Sequence, residues 1–324
     1  MKQQNNLTKR AKLPIYLTVY AQHLAHFLVQ INRVRTAETY TAAVKSFIKF
    51  RNGEDIKLCK LDNSTVLAYE AHLKNAGVSA NTSSFYLRNL RAIYNRAVEE
   101  GLIKQKFPFR HTYTGISKTT KRAINIEQLK EIINTDLSDR KHIQLAADIF
   151  LFSFFTRGTA FIDIAQLRHS NIKNGFLIYQ RSKTGQTIKI RIEQCMQCII
   201  DKYANSGNEY LLPILKKSVD IRREYINAQH RTNKHLKILG REIGLTIPLT
   251  TYVARHSWAS IAHSCQIPIA TISDALGHNN EATTRIYIAS LDNRAVDDAN
   301  SYILQQFGTS LNKRGNALTK VEKK

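Results

Sequence analysis

The chain has 324 residues, 43% hydrophobic and 23% charged, which gives it room for two ordinary domains and a sizeable core and excludes a disordered or fibrous protein. Lys and Arg number 48 against 25 Asp and Glu, a formal charge of +23, so a polyanion, nucleic acid foremost, is the expected partner. Four scattered cysteines exclude a disulfide framework, the longest apolar run (IFLFSFF) is too short to span a bilayer, and the N-terminal MKQQNNLTKRAKL lacks the apolar core of a signal peptide. A cytoplasmic protein with no membrane partner is the expectation.

Residues 1 to about 12 read as a polar, basic arm. From Pro14 to about Ile103 apolar residues recur at three and four, in YLTVYAQHLAHFLVQ and AETYTAAVKSFIKF, which predicts helices. DNSTVLAYEAHLKNAG and SANTSSFYLRNLRAIYNRAVEEG add polar starts and glycine stops. On the fourth of these helices Arg88 and Arg91 share a face, Arg96 follows, and Lys104 lies just beyond the end. That row is either a solvated face or a phosphate-contacting one. KQKFPFRHTYTGISKTTKRAI, residues 104–124, is basic, Thr-rich and without apolar periodicity, and reads as a linker whose Lys118, Lys121 and Arg122 could follow a DNA backbone.

A second domain is expected from Ala123. INIEQLKEIIN is a short helix, and KHIQLAADIFLFSFF is apolar nearly all round and predicts a buried one that delivers Arg157 at its end. In NGFLIYQRSKTGQTIKIRI two β-rich runs flank Lys-Thr-Gly, a hairpin with Lys183 in its turn. Cys195 and Cys198 form a lone C-x-x-C with no second ligand pair at zinc spacing, so a helical i, i+3 pair rather than a metal site is expected. TTYVARHSWASIAHS and IPIATISDALG follow as helices, with Pro268 near a start and Gly277 as a C-cap.

The chain thus supplies, in order, Arg157 after a buried helix, Lys183 in a turn, Arg255 in RHSW, His278 after a helix-ending glycine, and Tyr287 in TTRIYIAS. This order, and above all YVARHSWASIAHSCQIPIATISDALGHNNEATTRIYIAS, resembles the tyrosine recombinase (phage integrase) family. The match covers the family's second-arginine, Leu-Gly-His and Thr-x-x-Tyr motifs. The resemblance implies a mainly α fold with a small β-sheet: a basic arm (1–12), a helical, SAM-like core-binding domain (13–105), a basic linker (106–122), an α+β catalytic domain (123–300) and an inter-subunit tail (301–324). It also implies double-stranded DNA at specific inverted-repeat sites as partner, a tetramer on paired sites, and accessory DNA-bending proteins.

Within that resemblance the chemistry assigns each residue a task. The Tyr287 hydroxyl attacks the scissile phosphate to form a 3′-phosphotyrosyl link, which conserves the bond energy and needs no ATP. Arg157 and Arg255 fork onto the non-bridging oxygens, Lys183 protonates the leaving 5′-oxygen, and His278 adds a hydrogen bond to the phosphate. With these cations in place no metal or other cofactor is required. Asp163 holds an arginine or the fold around it; it lies six residues after Arg157, farther than the family's usual acidic residue, as in Bacteroides-type integrases and invertases. Tyr252 stands where the family usually has histidine. A phenol is a poor base near neutral pH, so either a proton role is relaxed or Tyr252 only orients the phosphate. His256 and Trp258 read as structural.

Two other readings compete. A helix-turn-helix regulator would be basic and would use SWASIAHSCQIPIATISDALGH, but it leaves Arg157, Lys183 and Tyr287 without a task. A type IB-like topoisomerase shares the chemistry, but a small N-terminal domain favours recombination. With helices beginning near Pro14 no room is left for an arm-binding domain, which favours a simple invertase or resolvase over an arm-dependent integrase of a mobile element.

Overall fold

A computed structural model describes residues 15–117, 122–205, 207, 209–216, 220–278 and 280–288, the last three of these by backbone only. The chain divides into two compact units, 1–118 and 119–324.

Among its described residues the first unit holds four α-helices: α1 (Leu17–Gln30), α2 (Val34–Phe50), α3 (Asn63–Asn75) and α4 (Ala80–Glu99). Asp62 and Ser79 accept the backbone N–H groups of Thr65 and Thr82, so the polar starts seen in the sequence are true N-caps. The apolar faces meet in one core around Leu24, Phe47, Tyr69, Leu87, Ile93 and Tyr94, with Phe47 and Tyr69 edge to face at 5.1 Å. Truncating such a buried ring to alanine costs roughly 3–5 kcal/mol.

Much of the expected linker is docked on this unit. Ser84 Oγ donates to the Gly115 carbonyl, Asn81 exchanges two hydrogen bonds with Ser117, and the Tyr113 N–H donates to Glu70. Asn63 Nδ2 reaches the Pro108 carbonyl at 3.0 Å, and Phe109 is buried in the core. The stretch lacks periodicity because side chains of α3 and α4, rather than an apolar stripe of its own, hold it. Lys118 and Lys121 lie outside the described residues.

The second unit begins with α5 (Ile126–Asn134), whose capping box joins Asn125 and Gln128. Next comes α6 (Lys141–Phe155), buried continuously from Ala146 to Ser153 as its all-round apolarity predicts. A short α7 (Phe161–Ile164) precedes an antiparallel sheet of β1 (Ile172–Lys173), β2 (Phe176–Gln180) and β3 (Thr187–Arg191), in that order. The expected hairpin is β2–β3, paired from Phe176↔Arg191 to Gln180↔Thr187, and β1 adds an edge strand. Leu177, Ile188 and Ile190 turn inward.

Helices α8 (Gln194–Tyr203), α9 (Ile221–Glu242), α10 (Thr251–Ser264), α11 (Ile269–Ala275) and α12 (Glu281–Ile288) follow among the described residues. Helices α8, α9 and α10 pack on α6. Cys195 and Cys198 are exposed on α8. The Asp148 carboxylate on α6 is satisfied by Lys202 Nζ at 2.5 Å and the Tyr203 hydroxyl at 2.6 Å. The stretch of helix-turn-helix length is α10, its turn and α11. Val253 through Ser257, Ala259 and Ala262 are buried on α10, so that helix builds core. Among the described residues no helix is long and apolar enough to cross a membrane.

Candidate active site

Arg157 owes its place to the way α6 ends. Thr156 returns its hydroxyl to the Phe152 carbonyl, and Arg157 and Gly158 both take positive φ, 61° and 73°. The Gly158 N–H closes the turn onto Ser153 at 2.8 Å, and Ser153 Oγ donates to the Thr159 carbonyl. A left-handed conformation costs a residue bearing Cβ about 1–2 kcal/mol, strain typical of functional positions. The Arg157 side chain is half-buried and has no hydrogen-bond or ion-pair partner among the described residues.

Arg255 is held differently. It is 5% exposed on α10, and its Nη1 donates to the Gly158 carbonyl at 2.7 Å. Its Nη2 donates to the Leu276 carbonyl and to His278 Nε2 at 3.0 Å. A guanidinium has five N–H donors, so at most two remain for a phosphate. The two carbonyls fix the fork and satisfy much of a charge that would otherwise be costly to bury.

His278 follows Gly277, whose φ of 63° ends the turn after α11. Because guanidinium nitrogens only donate, Nε2 must accept, and the ring proton sits on Nδ1 facing Thr284 Oγ1 at 2.8 Å. Burial, then the charges of Arg255, Arg181 and Lys183, push its pKa from 6.5 down to about 4. The ring is thus neutral near pH 7, and its Nε2 is turned to Arg255.

Lys183 lies exposed at the tip of the β2–β3 hairpin, where the Gly185 N–H returns to the Arg181 carbonyl at 2.8 Å. Two buried charges aim this tip. Asp163, 4% exposed on α7, accepts the Ser182 N–H at 2.9 Å, so its visible task is to hold the lysine turn rather than an arginine. Arg181, 8% exposed, donates to the Gly277 carbonyl and ties the hairpin to the His278 turn. Gly277 suits this place by its φ of 63°, and a Cβ there would lie 2.9 Å from Ile188 Cδ1 and 3.2 Å from Arg181 Cδ. Sequence reasoning missed Arg181. Its one signal was a cation two residues before Lys183 at a strand end.

Tyr287 belongs to α12, which packs on α10 and α11; its side chain lies outside the described residues. Tyr252, on the first turn of α10, is 56% exposed and meets the His256 ring edge to face at 4.5 Å. His256 is buried, and Trp258 packs with Ala259, Ala262 and Ile272.

Of the residues expected to contact DNA, Arg88 is half-buried on α4, and Lys104 and Arg122 are exposed. Arg91 donates to Thr114 at 2.9 Å, which helps dock the following segment. Arg96 is committed to Glu100 and lies over the Phe27 ring. A second basic row was missed: His230, Lys234, Lys237 and Arg241 succeed one another at three and four along α9 and line one groove. The low apolar content of that helix was the available signal.

A buried Arg255 fixed by two carbonyls, a neutral His278 beside it and a lysine hairpin tied to the His278 turn form a donor set suited to a phosphoryl group. Two family descriptions match the chain, the phage integrase SAM-like domain over residues 16–134 and the phage integrase family over residues 122–294. The chain belongs to the phage integrase family and is a tyrosine-type site-specific DNA recombinase. It is 24% identical to tyrosine recombinase XerD of Halalkalibacterium halodurans, over 78% of this chain and 86% of that one. It is 23% identical to tyrosine recombinase XerA of Thermococcus kodakarensis, over 78% and 83%. Its fold resembles lambda integrase in a dimer bound to a COC′ core site (TM-score 0.61, 19% identity, 88% of this chain and 81% of that one). It likewise resembles XerH recombinase on palindromic difH in a post-cleavage complex (TM-score 0.63, 16% identity, 86% and 84%).

Proposed function

We propose that Tyr287 is the nucleophile that forms the 3′-phosphotyrosyl link, with Arg157 and Arg255 as the two forks on the scissile phosphate. The observation that carries this reading is the fixed set around Arg255: Gly158 and Leu276 carbonyls behind the guanidinium and a neutral His278 beside it. Lys183 donates the proton to the leaving 5′-oxygen from a tip held by Asp163 and Arg181. Tyr252, exposed one helical turn before Arg255, orients the phosphate through its hydroxyl rather than serving as a base.

The helical unit serves as the core-binding domain, with Arg88, Arg91, Arg96 and Lys104 on phosphates. Lys118, Lys121 and Arg122 follow a DNA backbone, and the α9 row adds contacts from the catalytic unit. The protein acts on inverted-repeat sites in DNA inversion, excision or integration and assembles as a tetramer on paired sites, with DNA-bending proteins assisting. Four strands are cut and rejoined in pairs, and head-to-tail contacts close such a ring. The inter-subunit tail expected to make those contacts, residues 301–324, lies outside the described residues.

The test is to incubate the protein with genomic DNA fragments and sequence those trapped covalently on it. Defined sites should be recovered with wild type and none with Tyr287→Phe, which should still bind DNA. Covalent complex in normal yield from Tyr287→Phe would overturn the nucleophile. Relaxation of plasmid without site preference would move the reading to a topoisomerase.

A further inference from the structure

We infer that Thr284 is a positioning residue for strand cleavage: through its hydrogen bond to His278 it links the tyrosine-bearing helix α12 to the Arg255 guanidinium. The inference rests on the proposed roles of Arg255 and Tyr287.

Three observations carry it. The Thr284 side chain is completely buried at the centre of a short helix, where a valine would fill the same space without a polar atom. Its Oγ1 lies 2.8 Å from His278 Nδ1, while the other ring nitrogen lies 3.0 Å from Arg255 Nη2. Thr284 also precedes Tyr287 by three residues, just under one turn of the helix.

The direction of the chain of bonds follows from donor chemistry. The guanidinium cannot accept, so Nε2 accepts from it, and a neutral ring then carries its proton on Nδ1. That N–H needs an acceptor, and Thr284 Oγ1 supplies it. Without the threonine oxygen the ring loses its reason to keep the proton on Nδ1. The other tautomer would aim an N–H at the N–H of Arg255, and the arginine or the imidazole would have to move. Arg255 is already fixed by two carbonyls, so the ring is the part that yields, and α12 loses its polar tie to the site. Thr284 touches no reacting atom. It sets the tautomer of the imidazole and the seat of the helix that brings the nucleophile.

The experiment compares Thr284→Val and Thr284→Ser with wild type in single-turnover cleavage at saturating DNA, alone and in a His278→Ala background. In parallel, ¹⁵N NMR of imidazole-labelled full-length protein reads the His278 tautomer. Thr284→Val should keep DNA affinity and lower the cleavage rate roughly tenfold, the worth of about one hydrogen bond. Thr284→Ser should restore the rate, and Thr284→Val should change nothing further once His278 is alanine. Wild type and Thr284→Ser should show the proton on Nδ1, and Thr284→Val should show it redistributed. An equal loss in both backgrounds, full cleavage by Thr284→Val, or a wild-type proton on Nε2 would each overturn the inference. If Thr284→Val folds poorly, the tautomer in wild type and Thr284→Ser decides. A wild-type protein that forms no covalent adduct on any DNA would refute the proposed chemistry instead, and the NMR result would stand by itself on the Thr284 link.

Discussion

Gly158 and Arg255 are built around each other: the Gly158 carbonyl accepts from Arg255 Nη1 at 2.7 Å, and a Cβ on Gly158 would lie 2.9 Å from the Arg255 Cα. The glycine is needed twice, for its φ of 73° and for the close approach to α10. Gly158→Ala should therefore push the turn away from the arginine, with a loss of about 1–3 kcal/mol of stability and a fall in cleavage larger than the fall in DNA affinity. Urea unfolding and single-turnover cleavage would check both, and an alanine variant as stable and active as wild type would remove the constraint.

Arg157 and Arg255 should part ways in stability while agreeing in activity. Each alanine variant should lose on the order of a hundredfold in cleavage rate, as for one donor removed from a prepared anion site, and lysine should rescue only in part because it cannot fork. Arg255→Ala also strips donors from two carbonyls and should cost about 1–3 kcal/mol. Arg157→Gly should instead gain about 1 kcal/mol, because glycine accepts a φ of 61° without strain. A stabilised but inactive Arg157→Gly is the expected result. Thermal melts beside cleavage assays measure it.

If Lys183 protonates the leaving oxygen, its loss should matter least where the leaving group needs no proton. Lys183→Ala should be slow on ordinary DNA and close to wild type on a substrate with a 5′-bridging sulfur. Asp163→Ala, which frees the Ser182 N–H, should repeat this pattern more weakly, while Asp163→Asn keeps an acceptor oxygen and should be milder still. Equal defects on both substrates would take Lys183 out of the acid role and Asp163 with it.

The low basicity of His278 gives a pH dependence with a definite sign. The ring titrates near 6.5 when unfolded and near 4 in the fold, so between those values the unfolded chain holds the extra proton. Its contribution to stability is complete above about pH 6.5 and is lost as the pH falls to about 4. Denaturant midpoints across that range should decline on acidification, and His278→Gln should flatten the decline. An unchanged slope in the variant would assign the decline to other groups.

By itself the sequence determined the elements and which residues could carry the chemistry. Apolar periodicity, caps and glycine stops marked the helices, and a strand-rich stretch around Lys-Thr-Gly marked the hairpin, because local propensity and turn chemistry act over a few residues. Arg157, Lys183, Arg255, His278 and Tyr287 could be picked out as candidates because their residue types and their order are properties of the chain. The tertiary structure alone decided which polar atoms meet. Asp163 turned out to hold Ser182, Arg181 to hold Gly277, and the His278 nitrogens to face Arg255 and Thr284. Those partners lie 6 to 96 residues apart along the chain. Separations of that kind leave no periodic trace, and a buried charge finds its partner only once the backbone carbonyls and hydroxyls of other elements have been folded around it.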